Sequence, residues 1–354
     1  MIYERNSKIV KIAGGGIAGL SAAINLKKSG FNPIVFEKNS VVGGNRHGDY
    51  EGLDNWIFPN QMDIFFNKVG FDFKKITSFP IQKFTVHSKT SSPLEIISDK
   101  PFFYMVKRGN NKQDFDNQLF EQCKDLDIQF ELGKKAPDDC SIIATGTKKA
   151  SAYIRGINFK SNLNDQVHLL LGREFAPKGY AYLIIINGKG TLASAFKKQK
   201  RKNVDLIEEC LAYFKLIGLD IPKGDEFGSR GSFSLPFGNF KSPYLVGEAG
   251  GYQDYLFGFG MRMSMVSGLS AALLLIGKEK EALELIKDIN KKRKLSFVNR
   301  LLYERLNNYQ LVSFAKKLAN VEDPLSILSD AYKWNIKNFM RWKKINKRYE
   351  IRST

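Results

Sequence analysis

Residues 8–38, KIVKIAGGGIAGLSAAINLKKSGFNPIVFEK, constrain this chain more than any other stretch. The run Ile9-Val10-Lys11-Ile12-Ala13 reads as a buried strand and enters Gly14-Gly15-Gly16-Ile17-Ala18-Gly19 directly. Ala22, Ala23 and Leu26 then recur at helical spacing as far as Gly30, and Pro33 to Phe36 reads as a second strand ending on Glu37. This is a βαβ unit with G-x-G-x-x-G at its first turn and an acid about 20 residues on, the pattern of a dinucleotide site. Gly14 permits the tight turn, Gly16 lets the backbone approach a pyrophosphate, and Gly19 with Ala23 lets helix and strand pack closely. The helix N-terminus offers unpaired N–H groups and a partial positive charge to phosphates. Glu37 can accept both hydroxyls of an adenosine ribose and would repel a 2′-phosphate. The motif alone serves FAD and NAD alike.

At 354 residues the chain exceeds one simple core, so one large or two interleaved domains are expected. Its longest apolar run, Leu269 to Ile276, is far short of the ~20 residues needed to span a bilayer, and the N-terminus reads as a strand, not a signal peptide. Cys123, Cys140 and Cys210 are widely separated and form no C-x-x-C pair, which argues against a disulfide framework or a metal site. They suit a reducing cytoplasm. The net charge of +19 implies attraction to something acidic, unless it only reflects a Lys- and Asn-rich composition.

The expected class is α/β, α+β overall. A Rossmann-like domain is assembled from 1–75, 101–150 and 241–277, interleaved with an antiparallel-sheet substrate domain in 76–100 and 151–240, with basic helices in 278–354. A helix is expected over Asn60 to Val69, strands at Ile81 to His87, Leu94 to Ile97, Pro101 to Val106, Ile128 to Leu132 and Ser141 to Gly146, and a helix over Asp114 to Asp125 capped by Asp114. Val167 to Leu171 and Tyr180 to Ile186 read as strands, with Asn187-Gly188 as a turn. A helical pattern begins within Thr191 to Leu216, and Phe227 to Lys241 reads as loop. Tyr244 to Gly251 is a strand running into a second glycine turn, after which Gly258-Phe259-Gly260-Met261 opens a long apolar helix to Ile276.

That second turn selects the cofactor. A helix N-terminus behind Gly258-Phe259-Gly260 can present N–H groups to an oxygen of a ring system, and Glu248 can hold a ribityl hydroxyl. Two glycine turns far apart in sequence suit a long ligand stretched between them, and FAD has that shape. The combination resembles the FAD-dependent family that includes p-hydroxybenzoate hydroxylase and, within it, the geranylgeranyl reductases. Gly14-x-Gly16-x-x-Gly19 to Glu37 matches the first motif, Arg108 with Phe115-Asp116 and Leu119 resembles R-x-x-F-D-x-x-L with a longer spacer, and Gly247-Glu248-Ala249-Gly250-Gly251 resembles G-D-A-A-G. Gly258 to Met261 with Ser267-Gly268 continues the motif as in the reductases. The resemblance implies that Gly14, Gly16, Ile17, Ala18, Gly19, Glu37 and Lys38 hold the ADP half of FAD. It implies that Arg46 and Arg108 approach the pyrophosphate or flavin, and Glu248 with Gly250 and Gly251 the ribityl chain and phosphates. Gly146, Gly258, Gly260 and Met261 complete the cofactor set.

The family's hydroxylases carry an Asp-Gly pair where this chain has Thr145-Gly146, and no second G-x-G-x-x-G unit serves a nicotinamide cofactor. The reductases' Tyr-x-Trp-x-Phe-Pro element is reduced here to Tyr180, and His47 and Asp49 stand where the archaeal reductases have a Cys. The resemblance therefore implies an oxidoreductase that saturates C=C bonds of an isoprenoid or lipid, with His47 and Tyr180 as candidate proton donors. A monooxygenase or halogenase acting on an aromatic compound, or a non-redox flavin protein, stays open. The segment Lys333 to Tyr349 places Ile336, Phe339, Met340 and Lys343 on one helical face among basic residues. It suits an anionic membrane surface, an acidic ferredoxin-like electron carrier, or packing on the domain itself. Nucleic acid is not an expected partner, and the expected location is cytoplasmic or peripheral on the inner membrane face.

Overall fold

The structure, a computed structural model, describes residues 8–58, 60–147, 151–197, 205–231 and 240–349. Strand β1 (Ile9–Ala13), helix α1 (Ile17–Lys28) and strand β2 (Asn32–Glu37) form the expected parallel βαβ unit, with Ile12 opposite Val35. They are followed by β3 (Tyr50–Asp54), α2 (Met62–Lys68), β4 (Phe79–Ile81), β5 (Lys83–Ser88), β6 (Ser91–Ile97), β7 (Phe103–Lys107), α3 (Phe115–Lys124), β8 (Gln129–Leu132) and the two-residue β9 (Ile142–Ile143). The middle of the chain is β10 (Ala152–Lys160), β11 (Gln166–Leu170), β12 (Tyr180–Ile186), β13 (Lys189–Phe196), α4 (Leu206–Leu216) and β14 (Asp225–Gly231). The last part is β15 (Tyr244–Leu245), α5 (Met261–Ile276), α6 (Glu279–Tyr303), α7 (Asn308–Ala319), α8 (Pro324–Asp330) and α9 (Ile336–Tyr349).

A five-stranded parallel sheet runs in the order β15-β9-β1-β2-β8. Beside it stand a seven-stranded mixed sheet, β14-β10-β13-β12-β11-β5-β6, and a small antiparallel sheet, β3-β7-β4. β5 and β6, distant in sequence, enter the large sheet because β5 pairs in parallel with β11. Two readings are corrected. Thr191 to Phe196 is strand β13, and the helix is α4, starting at Leu206 with Asp205 accepting the Ile207 and Glu208 N–H groups. The β13 residues alternate small and apolar side chains across a sheet buried on both faces, which in sequence looks like a helix face. Phe227 to Gly231 is the edge strand β14, paired with β10; residues 232–239 of that expected loop lie outside the described residues.

Period-two alternation on β12 divides the cores. Ala181, Leu183 and Ile185 pack under α4 with Leu192 and Phe214, whereas Ile184 and Ile186 join the core of the nucleotide domain with Tyr180 and Tyr182 packed against it. Asn187 and Gly188 close the β12–β13 hairpin at φ 48° and 71°, positive at both positions as a type I′ turn requires. Tyr50 ties β3 to this sheet: its N–H donates to Thr191 Oγ1 and its hydroxyl to the Ile186 carbonyl. All three cysteines are buried and free.

Under α4 the Tyr213 hydroxyl lies 3.2 Å from His87 Nδ1, His87 Nε2 2.8 Å from His168 Nδ1, and His168 Nε2 2.8 Å from Gln166 Oε1. Donors run in one direction from Tyr213 to Gln166 only while both rings are neutral. Burial pushes both imidazoles down from 6.5 to about 4. The unfolded chain takes up protons near 6.5 and the folded one only near 4, so this contribution to stability is complete above pH 6.5 and is lost as pH falls towards 4. We expect a melting temperature lower at pH 5 than at pH 7 by about 5 °C, a dependence that the double variant His87→Leu/His168→Leu flattens in calorimetry.

Candidate functional site

Helix α5 brings the two glycine turns together. A side chain at Gly268 would meet the Ala18 carbonyl oxygen at 2.1 Å, so only glycine lets α5 lie this close on α1. Ser21 Oγ donates to the Met265 carbonyl at 2.8 Å, and Ser267 Oγ accepts the Gly247 N–H at 2.8 Å. Ala18, buried, has its Cβ at the contact with Gly247.

At the first turn, Gly14 sits at φ +104°, and a Cβ there would lie 2.5 Å from the Ala144 carbonyl oxygen. At Gly19 a Cβ would lie 2.0 Å from the Gly14 oxygen. Gly16 is different: no atom lies within 4 Å of the space its Cβ would fill. Gly16 caps α1, whose first turn has no acidic residue and no side-chain cap. Glu37 is buried, with Oε2 accepting the Gly15 N–H at 2.9 Å and Oε1 accepting from the Asn39 backbone and side chain. A carboxylate has about four acceptor positions, so room for a ribose hydroxyl remains. Lys38, next to it, is exposed.

The second turn is held from behind. Gly247–Gly250 forms a short 3₁₀ turn and Gly251 follows at φ +68°. Asp254 accepts the Leu256 and Phe257 N–H groups and the Tyr332 hydroxyl, so this buried acid shapes the loop that ends at Gly260. From α6, Arg293 donates to the Gly250 carbonyl and Arg300 to that of Leu256. Arg262, directly after Met261, is buried between the Phe58 and Phe65 rings and donates to the Asp54, Phe58 and Asn60 carbonyls. Gly258, at φ +84°, and Gly146, at φ +75°, both face open space, and Gly260 starts α5, which also lacks a side-chain cap and a first-turn acid.

Between the turns lies a charged cluster. Arg108 is buried and makes two hydrogen bonds to Asp116, at 2.8 and 2.7 Å, and a third to Glu51. Burial alone would raise Asp116, but the guanidinium holds it below the usual carboxylate range. Arg46 reaches Glu51 at 3.5 Å and acts electrostatically on Glu248, whose value burial raises. Asp114 takes the N-cap position of α3 as expected, yet its carboxylate turns back to Asn111 and does not cap the helix.

Asp49 completes the cluster and was not among the expected donors. It is 6% exposed, and its carboxyl accepts a hydrogen bond from its own backbone N–H. Burial, then the charge of Glu51, pushes it up to about 6, opposed by Arg108 and Arg46. The charges of Asp49 and Glu51 also act on Tyr182, which places β12 across from them. His47 is exposed, stacked on Phe227 at 5.6 Å. Tyr180 donates its proton to the Phe257 carbonyl, and burial raises its phenol far above the ordinary value. The aromatic rings continue as a wall: Trp56 and Phe259 at 4.9 Å, Phe103 and Phe259 at 6.1 Å, Tyr180 and Phe257 at 6.4 Å, Tyr180 and Tyr182 at 6.1 Å. Phe259 lies against β3 because Gly52 has no side chain; a Cβ there would meet the ring at 2.6 Å.

Comparison with known proteins bears on this geometry. The profile of the NAD(P)-binding Rossmann-like domain matches residues 12–72. A geranylgeranyl bacteriochlorophyll reductase-like structure from Thermoplasma acidophilum aligns over 98% of this chain and 99% of that one, with TM-score 0.67 and 14% identity. A flavin-dependent brominase aligns over 98% and 100%, with TM-score 0.65 and 14% identity. The fold is that of flavin-dependent oxidoreductases. Among curated sequences, a 1-hydroxycarotenoid 3,4-desaturase from Flavobacterium sp. (strain P99-3) is 58% identical over 36 residues, 10% of this chain and 7% of the desaturase. The chain thus spans less than a tenth of the desaturase's length. The flavoprotein fold and the residues present fit FAD: the open space at Gly16, the uncapped α1 and α5, and buried Glu37 lie where such a ligand needs them. No helix among the described residues is long and apolar enough to cross a membrane.

Proposed function

We propose that this protein binds FAD and uses it to saturate carbon–carbon double bonds of an apolar, isoprenoid-type substrate. The observation that carries this reading is Asp49, a buried carboxyl within electrostatic reach of Glu51 and Tyr182 and pushed up to about 6 by burial and the Glu51 charge. Bound and reduced, FAD supplies a hydride. Saturation also needs a proton on the neighbouring carbon, and an acid that titrates near the working pH delivers it well. Asp49 holds that proton; Glu51 favours the protonated form, and Arg46 and Arg108 keep the rise small enough for the carboxyl to be recharged. Tyr180, its hydrogen bond directed at Phe257, positions the loop. The ring wall from Trp56 and Phe103 through Phe259 and Phe257 to Tyr180 and Tyr182 excludes water and accepts a hydrocarbon chain. The likeness to the Thermoplasma reductase-like protein, running the length of both chains, supports this substrate class.

The holoprotein, reduced anaerobically and mixed with geranylgeranyl phosphates, should be reoxidised with a gain of two hydrogens per double bond in the product mass. NADPH oxidation with peroxide release in air, or halide incorporation into an aromatic compound, would instead assign the chain to the chemistry of the brominase it also resembles.

A further inference from the structure

We infer that α9 docks this protein on an anionic phospholipid bilayer, with Ile336, Phe339 and Met340 entering the interface and the surrounding cations meeting lipid headgroups. The inference is independent of the reaction proposed above. α9 has one anchored side: Trp342 and Ile345 are buried against Val298 of α6, with Phe297 and Leu301 packed around them, and Asn338 donates to the Asp330 and Lys333 carbonyls. At about 100° per residue, Ile336, Met340, Lys343 and Lys347 point away from that side, and Lys337 and Lys344 form one flank. The outward apolar groups are well exposed: Ile336 at 84%, Met340 at 57% and Phe339 at 37%. Phe339 has Trp334 at 5.8 Å and Lys343 Nζ at 5.1 Å from its ring, so the apolar tip and the cations form one surface.

The charge indicates the occupant. α9 holds six Lys and Arg residues and no Asp or Glu. Lys337, Lys343, Lys344 and Lys347 form no salt bridge among the described residues. An acidic protein would satisfy the cations but would leave large aliphatic groups at the tip without a matching pocket. A bilayer satisfies both, with headgroup phosphates for the lysines and acyl chains for Ile336 and Met340. The helix is too short to span and is already anchored along its length, so it lies in the plane of the interface.

The test is co-sedimentation of the full-length protein with phosphatidylcholine vesicles, with and without phosphatidylglycerol. Binding should be at least about 10-fold tighter with phosphatidylglycerol and should weaken with added salt. The variant Ile336→Ser/Phe339→Ser/Met340→Ser should lose binding about 10-fold or more while keeping the parent's circular dichroism, because these side chains support no core. Lys337→Gln/Lys344→Gln should lose the preference for phosphatidylglycerol. Absence of the parent from the vesicle pellet, undiminished binding by the serine variant, or capture by an acidic polypeptide without vesicle binding would each overturn the inference.

Discussion

Replacing Gly16 with valine is expected to abolish FAD retention and leave the apoprotein folded. Gly16 has φ −76° and ψ 176°, a conformation valine adopts readily, and nothing lies within 4 Å of the added Cβ. The new side chain instead fills the approach of a phosphate to the N-terminus of α1. Affinity for FAD should fall at least about 100-fold, or about 3 kcal/mol. Visible absorbance of the purified variant reads the flavin, and circular dichroism with a melting curve reads the fold. Neighbouring glycines supply the control. Alanine at Gly19 or Gly14 would press a methyl group into backbone, 2.0 Å from the Gly14 oxygen or 2.5 Å from that of Ala144, so these variants should fail to fold. A Gly16→Val protein as yellow as the parent would place the phosphates elsewhere.

Asp49→Asn should lower turnover about 100-fold or more while flavin content stays at the parent's level. Asparagine keeps the shape and removes the transferable proton. In the parent the rate should fall as pH rises through about 6, as the carboxyl loses its proton, and the Asn variant should lack that limb. Stability supplies a second readout. The folded value is raised above the ordinary 3.8, so the contribution of Asp49 is stabilising below pH 3.8 and is lost as pH rises through about 6. At neutral pH the ionised carboxyl therefore weakens the fold, and the Asn variant should melt at the same temperature or higher. A purely structural acid would behave in the opposite way. Unchanged turnover would remove Asp49 from the mechanism and make Tyr180→Phe the next test.

Where local pattern and local cause coincide, elements were legible before the structure. The first βαβ unit, α3 and the Asn187-Gly188 hairpin each depend on residues a few positions apart. The failures were at β13 and β14. Their periodicity is blurred because β13 is buried on both faces and β14 is a glycine-containing edge, so only pairing with neighbouring strands, β10 and β12 for β13 and β10 for β14, shows them as strands. At the site, the sequence pattern marked Arg108 but not its partners: the fold pairs it with Asp116 and Glu51, a bracket between α3 and β3.

By itself the sequence determined the dinucleotide turn, the acid at the end of β2 and a second glycine turn suited to the far end of a long cofactor, because these are backbone requirements written in short spacings. Only the tertiary structure decided that Gly268 presses α5 onto α1 and joins the turns, that arginines of α6 hold the second turn in place, and that burial pushes the Asp49 carboxyl up to about 6. The physical reason is that acidity and hydrogen-bond partners follow distance in space, not separation along the chain.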